Sequence, residues 1–241
     1  MHSNKATFKV EAIVLDLEDS QRSQLRIKNL SRTSRFRLLI FRNVKFSGVL
    51  KHLSYRLRYT SWHQYPFTSL PSYIFYPYSL REFILLDSSI TSIWDEEKVS
   101  PHSQLPTHTD VRHWRREKIF YCSRNMNLCG SKDLTKMPNF KEFPELERLD
   151  LEGQCTKLSK LDPSVAHFSE LRFLNLRNYT NLGSIPNKLF SLPSLEILNL
   201  TCCSKFVSCL DFSSLEEVGE REIIQQPFPQ KRQKLCGNKS I

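Results

Sequence analysis

Metal or acid–base chemistry in this chain would have to come from its histidines, cysteines and carboxylates, and none of these is spaced for it. His102, His108 and His113 lie near Cys122 and Cys129, but the intervening five, four and eight residues form no zinc-ligand signature. No Ser/His/Asp set and no pair of carboxylates rises above background. A G-x-x-x-x-G-K-[ST] phosphate loop is absent, and the chain has only six glycines. The sequence therefore points to no catalytic residue, no metal and no cofactor, and to a protein that is not an enzyme. The chemistry that remains is recognition by side chains standing on one face of short strands. Those side chains are Arg58, Tyr59, Ser61 and His63, then Arg81, Glu82 and Ile84. Further along they are Glu147, Arg148, Asp150 and Glu152, then Arg172, Phe173, Asn175 and Arg177, then Glu196, Ile197, Asn199 and Thr201. Tyr59, Phe173 and Ile197 are unusual on a merely solvated sheet, and Tyr and Arg are favoured as binding anchors.

The strands that would carry these residues come from a pattern, Leu-x-x-Leu-x-Leu. It occurs at Leu146/Leu149/Leu151, Leu171/Leu174/Leu176 and Leu195/Leu198/Leu200, with starts 25 and 24 residues apart. A period of about 20–29 residues with this pattern marks a leucine-rich repeat. The frame extends upstream to starts at Val10, Phe36, Leu57, Leu80 and Ser123. Of the 24 positions at offsets 0, 3 and 5 in eight units, 22 are apolar, against about nine at the chain's overall 39%. Thr60 and Ser123 are the exceptions. Offsets 3 and 5 alternate with polar neighbours, as a half-buried strand requires. One unit cannot bury its apolar side alone, so units stack and their strands pair in parallel.

The expected fold is an α/β solenoid, a leucine-rich repeat horseshoe with short parallel strands on its concave face. Loops and short helical turns occupy the convex face. Proline marks that side at Pro71, Pro138, Pro163 and Pro186, because it cannot donate to a sheet ladder. Ser164–Leu171 and Asn187–Leu192 are each expected to form a turn or two of helix. The organisation reads as N-terminal repeats over 1–94, an irregular insert or degenerate repeat over 95–122, C-terminal repeats over 123–213 and a disordered basic tail over 214–241.

The formal net charge is +10, and residues 1–60 hold +9 of it, 13 Lys/Arg against four Asp/Glu. A basic N-terminal third is compatible with an acidic protein partner; nucleic acid is disfavoured, since no aromatic-basic binding motif accompanies the charge. No run of 18 apolar residues predicts a membrane span. The start, Met1-His2-Ser3-Asn4-Lys5, has no apolar signal-peptide core. Seven cysteines without framework spacing read as reduced thiols, so the expected location is cytoplasmic, or nuclear through Lys231-Arg232-x-Lys234.

Several stretches together resemble the repeat region of plant intracellular immune receptors of the TIR class, the TIR nucleotide-binding leucine-rich repeat disease-resistance proteins. They are Val10–Leu17, Leu38–Gly48, Leu57–Phe67 with Ser69-Leu-Pro71, and Leu80–Trp94. Gly130–Leu134, Met137–Phe140 and Leu149–Gly153 continue the resemblance, which covers roughly 5–94 and 123–210. It implies a module for ligand recognition and autoinhibition in plant defence and signal transduction. Its partners would be proteins: a pathogen effector, a host guard target or other receptor domains. Oligomeric state is left open. The resemblance does not carry over the family's nucleotide binding, because the phosphate loop is missing, or its NAD-cleaving chemistry, which resides in the family's TIR domain and not in its repeats. It is read here as a truncated form.

Two departures from the family pattern stand out. Leu80 and Ser123 are 43 residues apart, about one unit too long, and Gln154 adds a residue that implies a local bulge. Alternatives to the receptor reading are a non-functional receptor remnant, a fragment of an extracellular repeat receptor suggested by Leu182-Gly-Ser-Ile-Pro186, and a substrate adaptor of a ubiquitin ligase. If the strand register is right, Leu174→Ala costs about 2–5 kcal/mol as a core truncation. Asn175→Ala, at an outward position, is expected to cost less than about 0.5 kcal/mol.

Overall fold

The computed structural model describes residues 10–17, 24–26, 35–48, 53–54, 56–70, 79–94, 120–153, 157–207 and 222–224. Its main feature is a parallel sheet of nine strands, one from each successive repeat. The strands are β1 (Ala12–Asp16), β3 (Leu38–Arg42), β5 (Tyr59–His63), β6 (Glu82–Leu86), β7 (Asn125–Asn127), β8 (Arg148–Asp150), β9 (Phe173–Asn175), β10 (Ile197–Asn199) and β11 (Glu222–Ile224). They pair in that order, with Thr60 opposite Phe83, Met126 opposite Leu149 and Leu174 opposite Leu198. This is a leucine-rich repeat solenoid, as the spacing predicts. From the second unit on the frame is buried, its two non-apolar residues included: Thr60 is 3% exposed and Ser123 is fully buried, whereas in the first unit Val10 is 39% exposed.

The repeat frame explains two local features. First, strand length follows the residue at offset 4. In β7 to β10 that residue is Asn127, Asp150, Asn175 and Asn199, and each side-chain Oδ1 accepts the backbone N–H two residues on. This Asx turn takes the amide out of the ladder, so these strands are three residues long. β3, β5 and β6 carry Ile40, Ser61 and Ile84 there and run five residues. Second, offset 7 takes a positive φ in Asn43, Gln64, Asp87, Gly130, Asn178 and Cys202. These six strands thus each leave the face through one left-handed residue. Gly153, at the equivalent place in the unit with the extra residue, does not. Gln154 itself lies outside the described residues.

On the far side, short 3-10 helices at Phe140–Glu142, Pro163–His167 and Asn187–Ser191 replace strands. The first two are capped by Asn139 and Asp162, whose carboxamide and carboxylate oxygens accept from Lys141 N and Ser164 N. Pro163 sits in the first turn, where no amide donor is needed. Polar residues tie successive units together inside the stack. Ser131 Oγ donates to Leu85 O, Ser88 bonds Ser131, and the Cys203 thiol donates to Leu176 O at 3.0 Å. Aromatic rings fill the N-terminal core: Phe41, Phe46, Trp62 and Tyr65 meet edge-to-face with centroids about 5 Å apart.

Three features depart from the sequence reading or extend it. A second, two-stranded parallel sheet joins β2 (Gln24–Arg26) to β4 (Lys45–Ser47), where no strand was expected. The tail, expected to be disordered from Ser214, supplies β11, which pairs with β10. Leu198 lies opposite Ile223, so the step of 25 residues continues; Glu220 and Gln225 at the flanking apolar offsets hide it. The long spacing before Ser123 does not interrupt the sheet, since β6 pairs directly with β7. Residues 95–119 lie outside the described residues, with His102, His108 and His113 among them. Phe120, at the end of that stretch, is fully buried, stacked on Phe143 at 4.3 Å and on Trp94 at 5.4 Å.

Candidate protein-binding face

The strand face is organised in rows, each made of one offset taken from successive units. The row at offset 1 is Glu11, Arg37, Arg58, Arg81, Arg124, Glu147, Arg172 and Glu196, and its backbone amides and carbonyls bond continuously from unit to unit. It reads as a ladder of charge. Arg37 pairs with Glu11, Arg124 with Glu147, and Arg172 with Glu196. These pairs are exposed and contribute little to stability, but they neutralise the row at both ends. Arg58 and Arg81, adjacent in its middle and both exposed, have no ion pair among the described residues.

The next rows divide the face into two halves of different chemistry. In β1, β3, β5 and β6 the outward offsets 2 and 4 hold Ala12 and Val14, Leu38 and Ile40, Tyr59 and Ser61, and Glu82 and Ile84. Val14 is 60% exposed, and Leu38, Ile40, Tyr59 and Ile84 are half-buried. At the far ends of these strands, Arg42 pairs with Asp16 and His63 Nε2 sits 2.9 Å from Asp87 Oδ2.

In β7 to β10 offset 4 is polar throughout, offset 2 holds Asn125, Arg148, Phe173 and Ile197, and the side chains around Asp150 and Asn175 bond to one another. Asn175 Nδ2 donates to Asp150 Oδ1 at 2.9 Å and to Glu152 Oε2 at 3.2 Å. Arg177 pairs with Glu152. The Arg148 guanidinium lies 3.5 Å from the Phe173 ring centroid and pairs with Asp150.

Most residues singled out on sequence lie on this face, exposed or half-buried: Arg58, Tyr59, His63, Arg81, Glu82, Ile84, Glu147, Arg148, Asp150, Glu152, Arg172, Phe173, Arg177, Glu196, Ile197 and Asn199. Three do not present a free side chain. Asn175 is 5% exposed, drawn down by the two carboxylates that it bridges. Ser61 is 8% exposed, a small side chain between the larger Ile40 and Ile84 of the neighbouring strands. Thr201 is 3% exposed, because it lies past the Asx turn at Asn199 and its carbonyl is taken by Asn178 N.

The structure also adds residues to the face that were passed over: Val14, Leu38, Ile40 and Arg42 in the first strands, and Arg124, Asn125 and Asn127 around β7. The same offsets counted from Val10, Phe36 and Ser123 identify them.

The cysteines near the face are thiols. Burial first, then Asp150, Glu152 and Asp87, pushes the Cys129 pKa up to about 11. Burial likewise raises that of Cys203 to about 11. Among the described residues no His/Cys/Asp/Glu group could hold a metal ion, and no helix is long and apolar enough to cross a membrane. On the opposite side a groove of about 700 Å³ opens between Trp94, Met137, Leu161 and Ile185. Its carboxylates are already engaged: Glu142 accepts from Trp94 Nε1 and Asp162 caps its helix.

No protein-family model matches this chain. Plant disease-resistance proteins do match it, over most of its length. Disease resistance protein RPP2A of Arabidopsis thaliana is 31% identical over 158 residues, 65% of this chain and 10% of that protein. TMV resistance protein N of Nicotiana glutinosa is 29% identical over 206 residues, 84% of this chain and 16% of that protein. Disease resistance protein RPS6 of Arabidopsis thaliana is 27% identical over 221 residues, 88% of this chain and 18% of that protein. The chain thus spans less than a fifth of the length of these relatives. The resemblance to TIR-class nucleotide-binding leucine-rich repeat disease-resistance proteins, read from the motifs, holds across the repeats.

Proposed function

We propose that this chain is a protein-recognition module of plant defence, corresponding to the repeat region of an intracellular disease-resistance receptor and acting by binding rather than catalysis. The observation that carries this reading is the strand face itself. It is a continuous parallel sheet whose outward rows present arginines, Tyr59 and half-buried aliphatic side chains, the residue types that anchor protein interfaces. The match to disease-resistance proteins supports the defence role. The partner is a protein: a pathogen effector, a host target under guard, or another domain of the receptor. The cytoplasm or nucleus is the compartment in which it would be met.

The test is to select protein binders by display against the full chain and map them with two sets of charge reversals. One set lies on the strand face (Arg58→Glu, Arg148→Glu, Arg172→Glu) and the other on the far side (Lys141→Glu, Lys188→Glu). Binders lost only with the strand-face set support the reading; binders lost only with the far-side set overturn it. The defence role is read in infected leaf tissue expressing the chain. Pathogen growth altered by the wild type and not by the strand-face set is the expected result.

A further inference from the structure

We infer that recognition concentrates on the half of the strand face built by β1, β3, β5 and β6, and that this half takes an extended polypeptide segment carrying carboxylates beside apolar side chains. The inference rests on the strand face being a protein-recognition surface, and it adds where on that face and what chemistry.

Charge comes first. Along the offset-1 ladder every acidic residue is already paired with an arginine, and Arg58 and Arg81 are neighbours with no ion pair among the described residues. Two guanidiniums one strand spacing apart, about 4.8 Å at the backbone, repel each other and cost stability in the free protein. A carboxylate reaching both removes that repulsion and is held by bidentate geometry that a lysine would not provide. Glu82, half-buried in the next row, is the local acid without an ion pair among the described residues. It leaves a net single positive charge at this corner and directs incoming carboxylates to the outer, offset-1 side.

The apolar part lies beside the arginines. Val14, Ile40, Ser61 and Ile84 form one row across four paired strands. That row spans roughly 14 Å, three strand spacings. A segment running across the strands would lay apolar side chains on Ile40 and Ile84, with Ser61 as a shallow dip between them, while its acids reach Arg58 and Arg81.

The other half of the face is largely bonded to itself, with half-buried Ile197 as its outward aliphatic side chain among the described residues. Asn175, Asp150, Glu152 and Arg177 satisfy one another, and Arg148 covers Phe173. A ligand around Asp150 and Asn175 must break bonds that already exist, whereas on β3 to β6 it covers apolar surface and reaches arginines with no ion pair among the described residues.

Fluorescence anisotropy of the full chain tests this with labelled peptides of alternating Glu and Leu, alternating Lys and Leu, and alternating Glu and Ser. The Glu–Leu peptide should bind, the other two should bind at least about tenfold more weakly, and added salt should weaken the Glu–Leu complex. Arg58→Glu/Arg81→Glu should weaken it by about tenfold or more. Arg58→Gln/Arg81→Gln, which adds no new charge, serves if the reversal fails to fold by circular dichroism. Failure of the Glu–Leu peptide to bind, equal binding of the Lys–Leu peptide, or an unaffected folded double variant overturns the inference. Display-selected binders separate it from the broader reading. If they are lost with Arg148→Glu/Arg172→Glu but kept with Arg58→Glu/Arg81→Glu, recognition by the strand face stands and its N-terminal location falls.

Discussion

Asn175→Ala separates a solvated strand residue from a structural one. On sequence this position looked outward and nearly neutral to change. In the fold its Oδ1 accepts Arg177 N at 3.1 Å, and its Nδ2 donates to Asp150 Oδ1 and Glu152 Oε2, with the side chain only 5% exposed. A net hydrogen bond is worth about 1 kcal/mol, and one to a charged group about 1.5–3. Asp150 and Glu152 are half-buried and regain water when the amide is gone, so their two bonds are discounted to about 1 kcal/mol together. Losing the acceptor for Arg177 N adds about 1 kcal/mol. The expected cost is therefore about 2 kcal/mol, below the about 2–5 for Leu174→Ala at the fully buried position beside it.

Asn175→Asp should cost at least as much as Ala at neutral pH, since it keeps the acceptor but sets a third carboxylate against Asp150 and Glu152. Urea unfolding followed by circular dichroism measures all three. A cost under about 0.5 kcal/mol for Asn175→Ala, the range of surface changes, or an aspartate more stable than alanine, would refute this account of the bridge.

The thiols give a second test. Iodoacetamide at pH 8 should label exposed Cys122 and Cys202 well before Cys203, which is fully buried and donates to Leu176 O; equal labelling would contradict that burial. Because the folded state raises the Cys203 pKa from 9.0 to about 11, it holds this proton more tightly than the unfolded chain. The matching stability is present below pH 9 and is lost as pH climbs from there through about 11, a decline that Cys203→Ala should blunt in unfolding curves. Gly130 has φ +76°, and an added Cβ would overlap Asp87 Oδ1, whereas the nearest atom to a Cβ on Gly153 is 3.5 Å away. Gly130→Ala should therefore cost more than about 1 kcal/mol and Gly153→Ala distinctly less, by thermal unfolding. Phe120→Ala should cost about 3–5 kcal/mol in the same assay, because the ring is buried between Trp94 and Phe143.

The inward half of this fold was legible because it depends on one variable, apolar area at a fixed spacing. From the second unit on, stacking forces offsets 0, 3 and 5 inside, and even Thr60 and Ser123 follow the frame against their own polarity. β11 was missed for the same reason. Glu220 and Gln225 break the apolar count, yet parallel pairing needs only a strand in register with β10, and Ile223 opposite Leu198 supplies it. β2 carries no repeat signal, since three residues beside β4 pair outside the main sheet.

The outward half was legible only as a set of positions, because what an outward residue does depends on its neighbour one unit away. Asn175 looked like any polar strand residue until Asp150 and Glu152 were placed beside it, 25 and 23 residues back along the chain. The rows could be aligned from the sequence, and Asn127, Asp150, Asn175 and Asn199 then fall into line. A column of Asx residues accepting their own chain's amides shortens each strand and ties up the polar surface. A column of Ile40, Ser61 and Ile84 leaves the strands long and the surface uncovered. Both columns suit the stack on the inside, so the solenoid can vary offset 4 freely without disturbing its core. That freedom lets one sheet carry a half whose polar side chains bond one another and a half with an apolar row beside two arginines that have no ion pair among the described residues.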